Sequence, residues 1–186
     1  MLEKLFTSKN RIKILEYLFF VNEESYIREI SRELKMPVSA VKREIDNLLS
    51  IGIITINKNR IVLNKKCNFI DELRNIFVKT DAIFYPIKQV LDDRRIFYCL
   101  TFGSFANGTY THESDVDLLI IGNIKLFDLT KLLKPVEIKI KREINPVVWT
   151  IDNFKKERKS SFVKDIFNKK IIMLRGDENE LRRITK

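Results

Sequence analysis

Asp115 and Asp117 stand two residues apart where an apolar run, Val116 to Ile121, begins. In an extended strand this spacing puts both carboxylates on one face and turns Val116 and Leu118 toward a core. Two carboxylates held together repel unless a cation neutralises them, and hard oxygen donors of this kind suit Mg²⁺. Upstream, Phe102-Gly103-Ser104-Phe105-Ala106-Asn107-Gly108 follows a second apolar run, IFYCLTF. Gly103 lets the backbone approach a phosphate closely, and the Ser104 hydroxyl and nearby amides can bind phosphate oxygens. A divalent cation beside such a loop would bridge a phosphate chain and lower the barrier to attack on phosphorus.

These residues need elements to hold them. The spacing predicts a buried strand over 96–102, a loop, and a second strand over 116–121. Residues 126–140 read as helical turns interrupted at Pro135, and 143–149 as a third strand. Residues 152–168 read as one basic helical stretch, and 169–174 as a short apolar segment before a polar tail. Lys155, Lys156, Arg158 and Lys159 are read as a solvated helix face, Trp149 as core, and His112 as a solvated loop residue.

The first part of the chain has a different pattern. Residues 8–20, 26–34 and 39–50 carry apolar positions at helical spacing, with Ser8 and Ser25 as candidate N-caps and Pro37 in the turn before the third. Gly52 ends that helix. Residues 53–57 and 60–64 are β-rich runs joined by Lys58-Asn59, a two-residue hairpin loop. Three helices and a hairpin in this order are those of a winged helix-turn-helix. Burying Val41, Ile45 and Leu48 turns Ser39, Lys42, Arg43 and Asn47 outward, where they can donate to phosphates or bases of duplex DNA. Lys58 and Arg60 on the wing would reach flanking phosphate. Asp46 shares that face and would repel phosphate.

Residues 69–91 carry a long apolar stripe at helical spacing, and Pro86 is a candidate kink. The stripe packs on the second domain or forms a homodimer seam. The expected domains are therefore a winged helix over 1–66, a linker helix over 67–92, and an α+β domain with a small mixed sheet over 93–186.

Net charge is +10 with a pI near 9.6, which favours polyanionic partners. No apolar stretch reaches the roughly 20 residues needed to span a bilayer. Cys67 and Cys99 form no metal-ligand spacing and no disulfide framework. With no signal-peptide pattern at the N-terminus, a cytoplasmic protein without a membrane partner is expected.

The run Gly103-Ser104, Gly108, then Ser114-Asp115-Val116-Asp117-Leu118-Leu119 resembles the motif of the DNA polymerase β-like nucleotidyltransferase superfamily. Its form is similar to the minimal nucleotidyltransferase branch, and the combination resembles archaeal proteins that fuse a winged helix to such a domain. The resemblance implies that Gly103, Ser104, Asn107 and Gly108 hold a nucleoside triphosphate and that Asp115 and Asp117 hold Mg²⁺. Active members carry a third carboxylate, the general base, on a neighbouring strand. Here that position falls at or near Asn145, an amide that cannot take a proton. Glu143 substitutes if the register differs. Asn107 stands where many relatives carry Arg. Three functions stay open: transfer of a nucleoside monophosphate to a protein or nucleic acid, a regulator with a nucleotide-sensing domain, and an antitoxin-like module acting on a partner.

Overall fold

The computed structural model describes residues 2–111 and 113–185. The chain divides into two compact units, one running to Ala82 and one from Ile83.

In the first unit, α1 (Leu2–Leu5) and α2 (Lys9–Phe20) precede a short strand, β1 (Glu24–Ser25). Helices α3 (Ile27–Glu33) and α4 (Val38–Ser50), strands β2 (Ile54–Asn57) and β3 (Arg60–Leu63), and α5 (Ile70–Phe77) follow. Ser8 caps α2, its hydroxyl accepting from the Arg11 amide at 3.2 Å. Lys58 and Asn59 both take positive φ, 46° and 64°, as a two-residue hairpin loop requires. β1 pairs antiparallel with β3, giving the sheet order β1-β3-β2. The core gathers Ile14, Leu18, Ile30, Val41, Ile45, Leu48 and Phe77.

One detail differs from expectation, and a second concerns a residue not considered there. Ser25 does not cap α3. It lies in β1, and its hydroxyl donates to Glu29 at 2.7 Å. Glu44 is buried on the inner side of α4, where it accepts from Ser8 Oγ at 2.7 Å and Arg11 Nε at 3.0 Å. These contacts hold its carboxyl below the usual range despite the opposing effect of burial, the largest single influence.

The apolar stripe over 69–91 is shared out. α5 sends Ile70 and Phe77 into the first core, and the backbone leaves helical geometry at Thr80 (φ −108°, ψ −129°). α6 (Phe84–Val90) then opens the second unit. The break therefore falls ahead of Pro86, which sits in the first turn of α6, where a missing amide costs no helical bond.

The second unit continues with β4 (Ile96–Thr101), α7 (Gly103–Asn107), β5 (Val116–Gly122), α8 (Leu126–Ile140) and β6 (Ile144–Trp149). It closes with α9 (Ile151–Glu157), α10 (Ser161–Asn168), β7 (Ile172–Arg175) and α11 (Glu178–Thr185). Its sheet runs β6-β5-β4-β7, with β5 and β6 parallel and the other pairs antiparallel. A mixed α+β fold results. The parallel pair needs a crossover, which α8 supplies. On one face Leu100, Leu119 and Ile121 pack with Phe154, Val163, Ile166 and Leu181. Val116, Leu118 and Ile120, on the opposite side of β5, are also fully buried.

Two expectations here are corrected, and one element is added. Pro135 does not interrupt α8, which runs unbroken across it. Pro135 and Lys131 are exposed, so water can satisfy the carbonyl that loses its amide partner. The basic stretch over 152–168 is two helices, capped separately by Thr150 and Ser160. The polar tail contains a helix, α11, anchored by the fully buried Leu181. Among the described residues, no helix is long and apolar enough to cross a membrane.

Candidate functional site

Asp117 is the second residue of β5, and Asp115 directly precedes the strand. Both are half-buried. They continue the face that carries Leu119 and Ile121, at the end where β5 begins. β4 is antiparallel to β5, so its last residue, Thr101, pairs with Leu118 and delivers the Gly103 turn to that same end. The Phe102 amide donates to the Asp117 carbonyl at 3.3 Å.

Gly103 has φ +68°, a left-handed conformation that a side chain resists. A Cβ placed there would lie 2.5 Å from Asp117 Oδ2. The turn and the carboxylate are thus in direct apposition, and a side chain at 103 would push the Asp117 carboxylate aside. Ser104 is half-buried beside it, while Asn107 and Gly108 are exposed at the far end of α7. The Ser104 carbonyl accepts from the Gly108 and Thr109 amides at 2.9 and 3.0 Å, and Gly108 closes the helix at φ +81°.

Asn145 lies opposite Asp117 in the parallel β5–β6 register. Its Nδ2 donates to Asp115 Oδ2 at 3.2 Å. The strand neighbour of the aspartate pair is therefore an amide. Glu143 precedes β6, is exposed, and lines a cleft with Lys134, Glu137, Lys141 and Arg142, of which Asp115 and Asp117 are not part. His112 lies outside the described residues.

Burial first, and the charge of Asp115 second, raise the pKa of Asp117. The folded chain therefore holds the Asp117 proton more tightly than the unfolded chain. Above the raised folded pKa the cation-free fold carries the full penalty, and acidification toward the ordinary value of 3.8 relieves it. Asp117→Asn is expected to raise the thermal midpoint of cation-free protein at pH 7 by about 1–4 °C. It should also flatten the gain in stability on acidification. A midpoint and pH profile matching wild type would refute this coupling.

The donor set fits a hard divalent cation. Two carboxylates whose charges oppose one another are relieved by a cation between them. Among the described residues, no group of three or more His, Cys, Asp and Glu side chains gathers at one point. A pair of carboxylates is what Mg²⁺ uses where phosphate oxygens and water complete its shell.

Arg142 was not singled out as a site residue in its own right, yet it is buried beside this site. Its Nη1 donates to the Thr111 carbonyl at 2.8 Å and the Ser114 carbonyl at 3.1 Å. Nothing in local spacing separates it from the chain's 35 Lys and Arg residues. Trp149 packs at the edge of the sheet core, against Phe154 and Phe162.

In the first unit, Ser39, Lys42, Arg43, Asp46 and Asn47 are exposed on α4, and Lys58 is exposed at the hairpin tip. Arg60 is engaged within the unit, donating to Tyr26 Oη at 2.8 Å and to Glu24 Oε1 at 2.9 Å.

The family model for nucleotidyltransferase domains matches residues 87–173, which hold Gly103, Ser104, Asp115, Asp117, Arg142 and Asn145. A Methanocaldococcus jannaschii protein provisionally named a protein adenylyltransferase is 35% identical over 72 residues, covering 39% of this chain and 72% of its own length. A crystal structure of a mutant toxin–antitoxin, MntA-HpeT, shares 14% identity at a TM-score of 0.42, over 55% of this chain and 80% of that one. A provisionally named nucleotidyltransferase from Sulfolobus solfataricus shares 16% identity at a TM-score of 0.33, over 55% of this chain and 85% of that one.

Proposed function

Because this chain belongs to the family of nucleotidyltransferase domains, we propose that its second unit binds a nucleoside triphosphate with Mg²⁺ and transfers the nucleoside monophosphate to a hydroxyl of a protein or nucleic acid. The acceptor oxygen bonds to the α-phosphorus, the bond from that phosphorus to the bridging oxygen breaks, and pyrophosphate leaves. The observation that carries the reading is the apposition of Gly103 and Asp117, with a virtual Cβ 2.5 Å from the carboxylate oxygen. It would set a turn able to hold phosphate oxygens against a carboxylate able to hold a cation. Ser104 and the turn amides would hold phosphate oxygens, and Asp115 and Asp117 would hold the cation. The cation would neutralise charge on the phosphates. The relative named as a protein adenylyltransferase favours ATP as donor and a protein as acceptor.

Asn145 favours a second reading, a nucleotide sensor with little transfer. An amide opposite Asp117 cannot take the proton of an attacking hydroxyl. Incubation with labelled ATP, CTP, GTP or UTP, Mg²⁺ and cell protein or nucleic acid separates the two. Transfer by wild type, rising about tenfold in Asn145→Asp, is the expected result. Nucleotide binding with no label from either protein would leave the sensor.

The first unit is proposed to be a winged helix that binds duplex DNA. Support comes from its element order, from the pairing of β1 with β3, and from the exposed Ser39, Lys42, Arg43 and Asn47 on α4. Lys58 would add a wing contact, while Arg60 would first have to leave Glu24 and Tyr26. Lys42→Ala/Arg43→Ala is expected to weaken a duplex gel shift about tenfold or more. Losing two phosphate contacts would also lower the salt slope by about 2. Unchanged affinity across a salt series would remove α4 as the reader.

A further inference from the structure

We propose that Arg142 is a positioning residue that holds the aspartate pair in place by clasping the loop ahead of it. This rests on the reading of Asp115 and Asp117 as the cation site.

Asp115 lies outside β5, so no ladder bond of the strand fixes it. Its position depends on the loop between Gly108 and Val116. That loop closes on itself, with the Thr111 amide donating to Ser114 Oγ at 2.8 Å and the Ser114 amide to the Thr111 carbonyl at 3.3 Å. Such bonds shape the second half of the loop, while Thr109 and Tyr110 tie its first half to α7 through the Ser104 carbonyl and the Phe105 ring. Arg142 ties the second half, one guanidinium nitrogen reaching the carbonyls of Thr111 and Ser114. On the other side of Asp115, the Val116 amide donates to the Glu143 carbonyl at 2.9 Å. Both neighbours of Asp115 are therefore fastened to the two-residue segment Arg142-Glu143. Two residues further on, Asn145 bonds the Asp115 carboxylate itself.

The same guanidinium lies 5.8 Å from the ring centre of Phe105, which belongs to the Gly103–Asn107 helix and stacks on Tyr110 at 4.6 Å. One buried side chain thus joins the glycine turn, the loop and the start of β6. A lysine ammonium also has donors for two carbonyls, but it lacks the planar guanidinium that meets both carbonyls through one nitrogen while its central carbon lies over the Phe105 ring. Groups behind metal ligands set their orientation and commonly change affinity by about 10–100-fold when lost.

The test uses Mn²⁺ as probe, its free signal read by electron paramagnetic resonance, on the full chain. Arg142→Lys is expected to weaken Mn²⁺ binding about tenfold, and added guanidinium to restore part of the affinity of Arg142→Ala. Ser114→Ala keeps the carbonyl that Arg142 binds and removes only the loop's own Oγ bond, so it should weaken Mn²⁺ binding less than Arg142→Lys does. In cation-free protein, the Asn145 side-chain amide signals should move toward free-amide positions in each variant. Mn²⁺ affinity and Asn145 signals at wild-type values in folded Arg142→Lys would overturn the proposal. If wild type and Asp115→Ala/Asp117→Ala hold Mn²⁺ equally, the cation-site reading itself falls, and the clasp falls with it.

Discussion

Asp115→Ala/Asp117→Ala is expected to lower nucleotidyl transfer at least about 1,000-fold, which is roughly 4 kcal/mol of lost transition-state stabilisation. Both side chains are oxygen donors at the end of β5, half-buried and turned to the face that Gly103 meets. Removing them takes away the carboxylates proposed to hold the cation, and among the described residues no cluster of three or more His, Cys, Asp and Glu side chains stands in for them. The fold should survive. Val116, Leu118, Leu119, Ile120 and Ile121 keep their packing, and the penalty on Asp117 from burial and from Asp115 disappears. The double variant should therefore melt at or above wild type without cation and gain nothing from Mg²⁺. Label incorporation at the wild-type rate would sink the assignment of these carboxylates.

Gly103→Ala should cost both stability and chemistry. At φ +68° a non-glycine residue is strained by roughly 1–2 kcal/mol. Its Cβ would also meet Asp117 Oδ2 at 2.5 Å, so the carboxylate or the turn must shift. A shift of about 1 Å at reacting groups costs on the order of 100-fold in rate. Transfer is expected to fall about 100-fold or more, with a midpoint loss of several degrees. Gly52→Ala is the matched control. Gly52 has φ +76° with nothing within 4 Å of a virtual Cβ, so it carries the backbone strain alone. The control should lose stability and keep transfer. Equal transfer in the two variants would show that the apposition of Gly103 and Asp117 does not matter to function.

Much of the second unit was legible from residue order. Period two in Asp115-Val116-Asp117 places the carboxylates together, and glycine at 103 marks a close backbone approach. Both are local consequences of strand geometry and glycine's missing Cβ. The three helices and the hairpin of the first unit are equally local, with Ser8, Pro37, Lys58 and Asn59 as punctuation. The two-residue β1 was not visible, because so short a strand has no periodicity and exists only by pairing with β3.

Other features depend on partners distant in the chain. Pro135 breaks a helix in isolation, but tertiary packing of Leu133, Val136 and Ile140 carries α8 through it. The tail is too polar to read as structured, yet Leu181 finds the sheet core and α11 forms around it. Arg60 looks like a free wing cation until Glu24 and Tyr26, more than 30 positions earlier, engage it. Chain order established which side chains could do chemistry, since reactivity and strand alternation belong to the residues themselves. That Asn145 meets Asp115, and that Arg142 bonds the Thr111 and Ser114 carbonyls ahead of it, came only from folding. Parallel register and a buried guanidinium's acceptors arise from contacts about 30 residues apart, which no local pattern encodes.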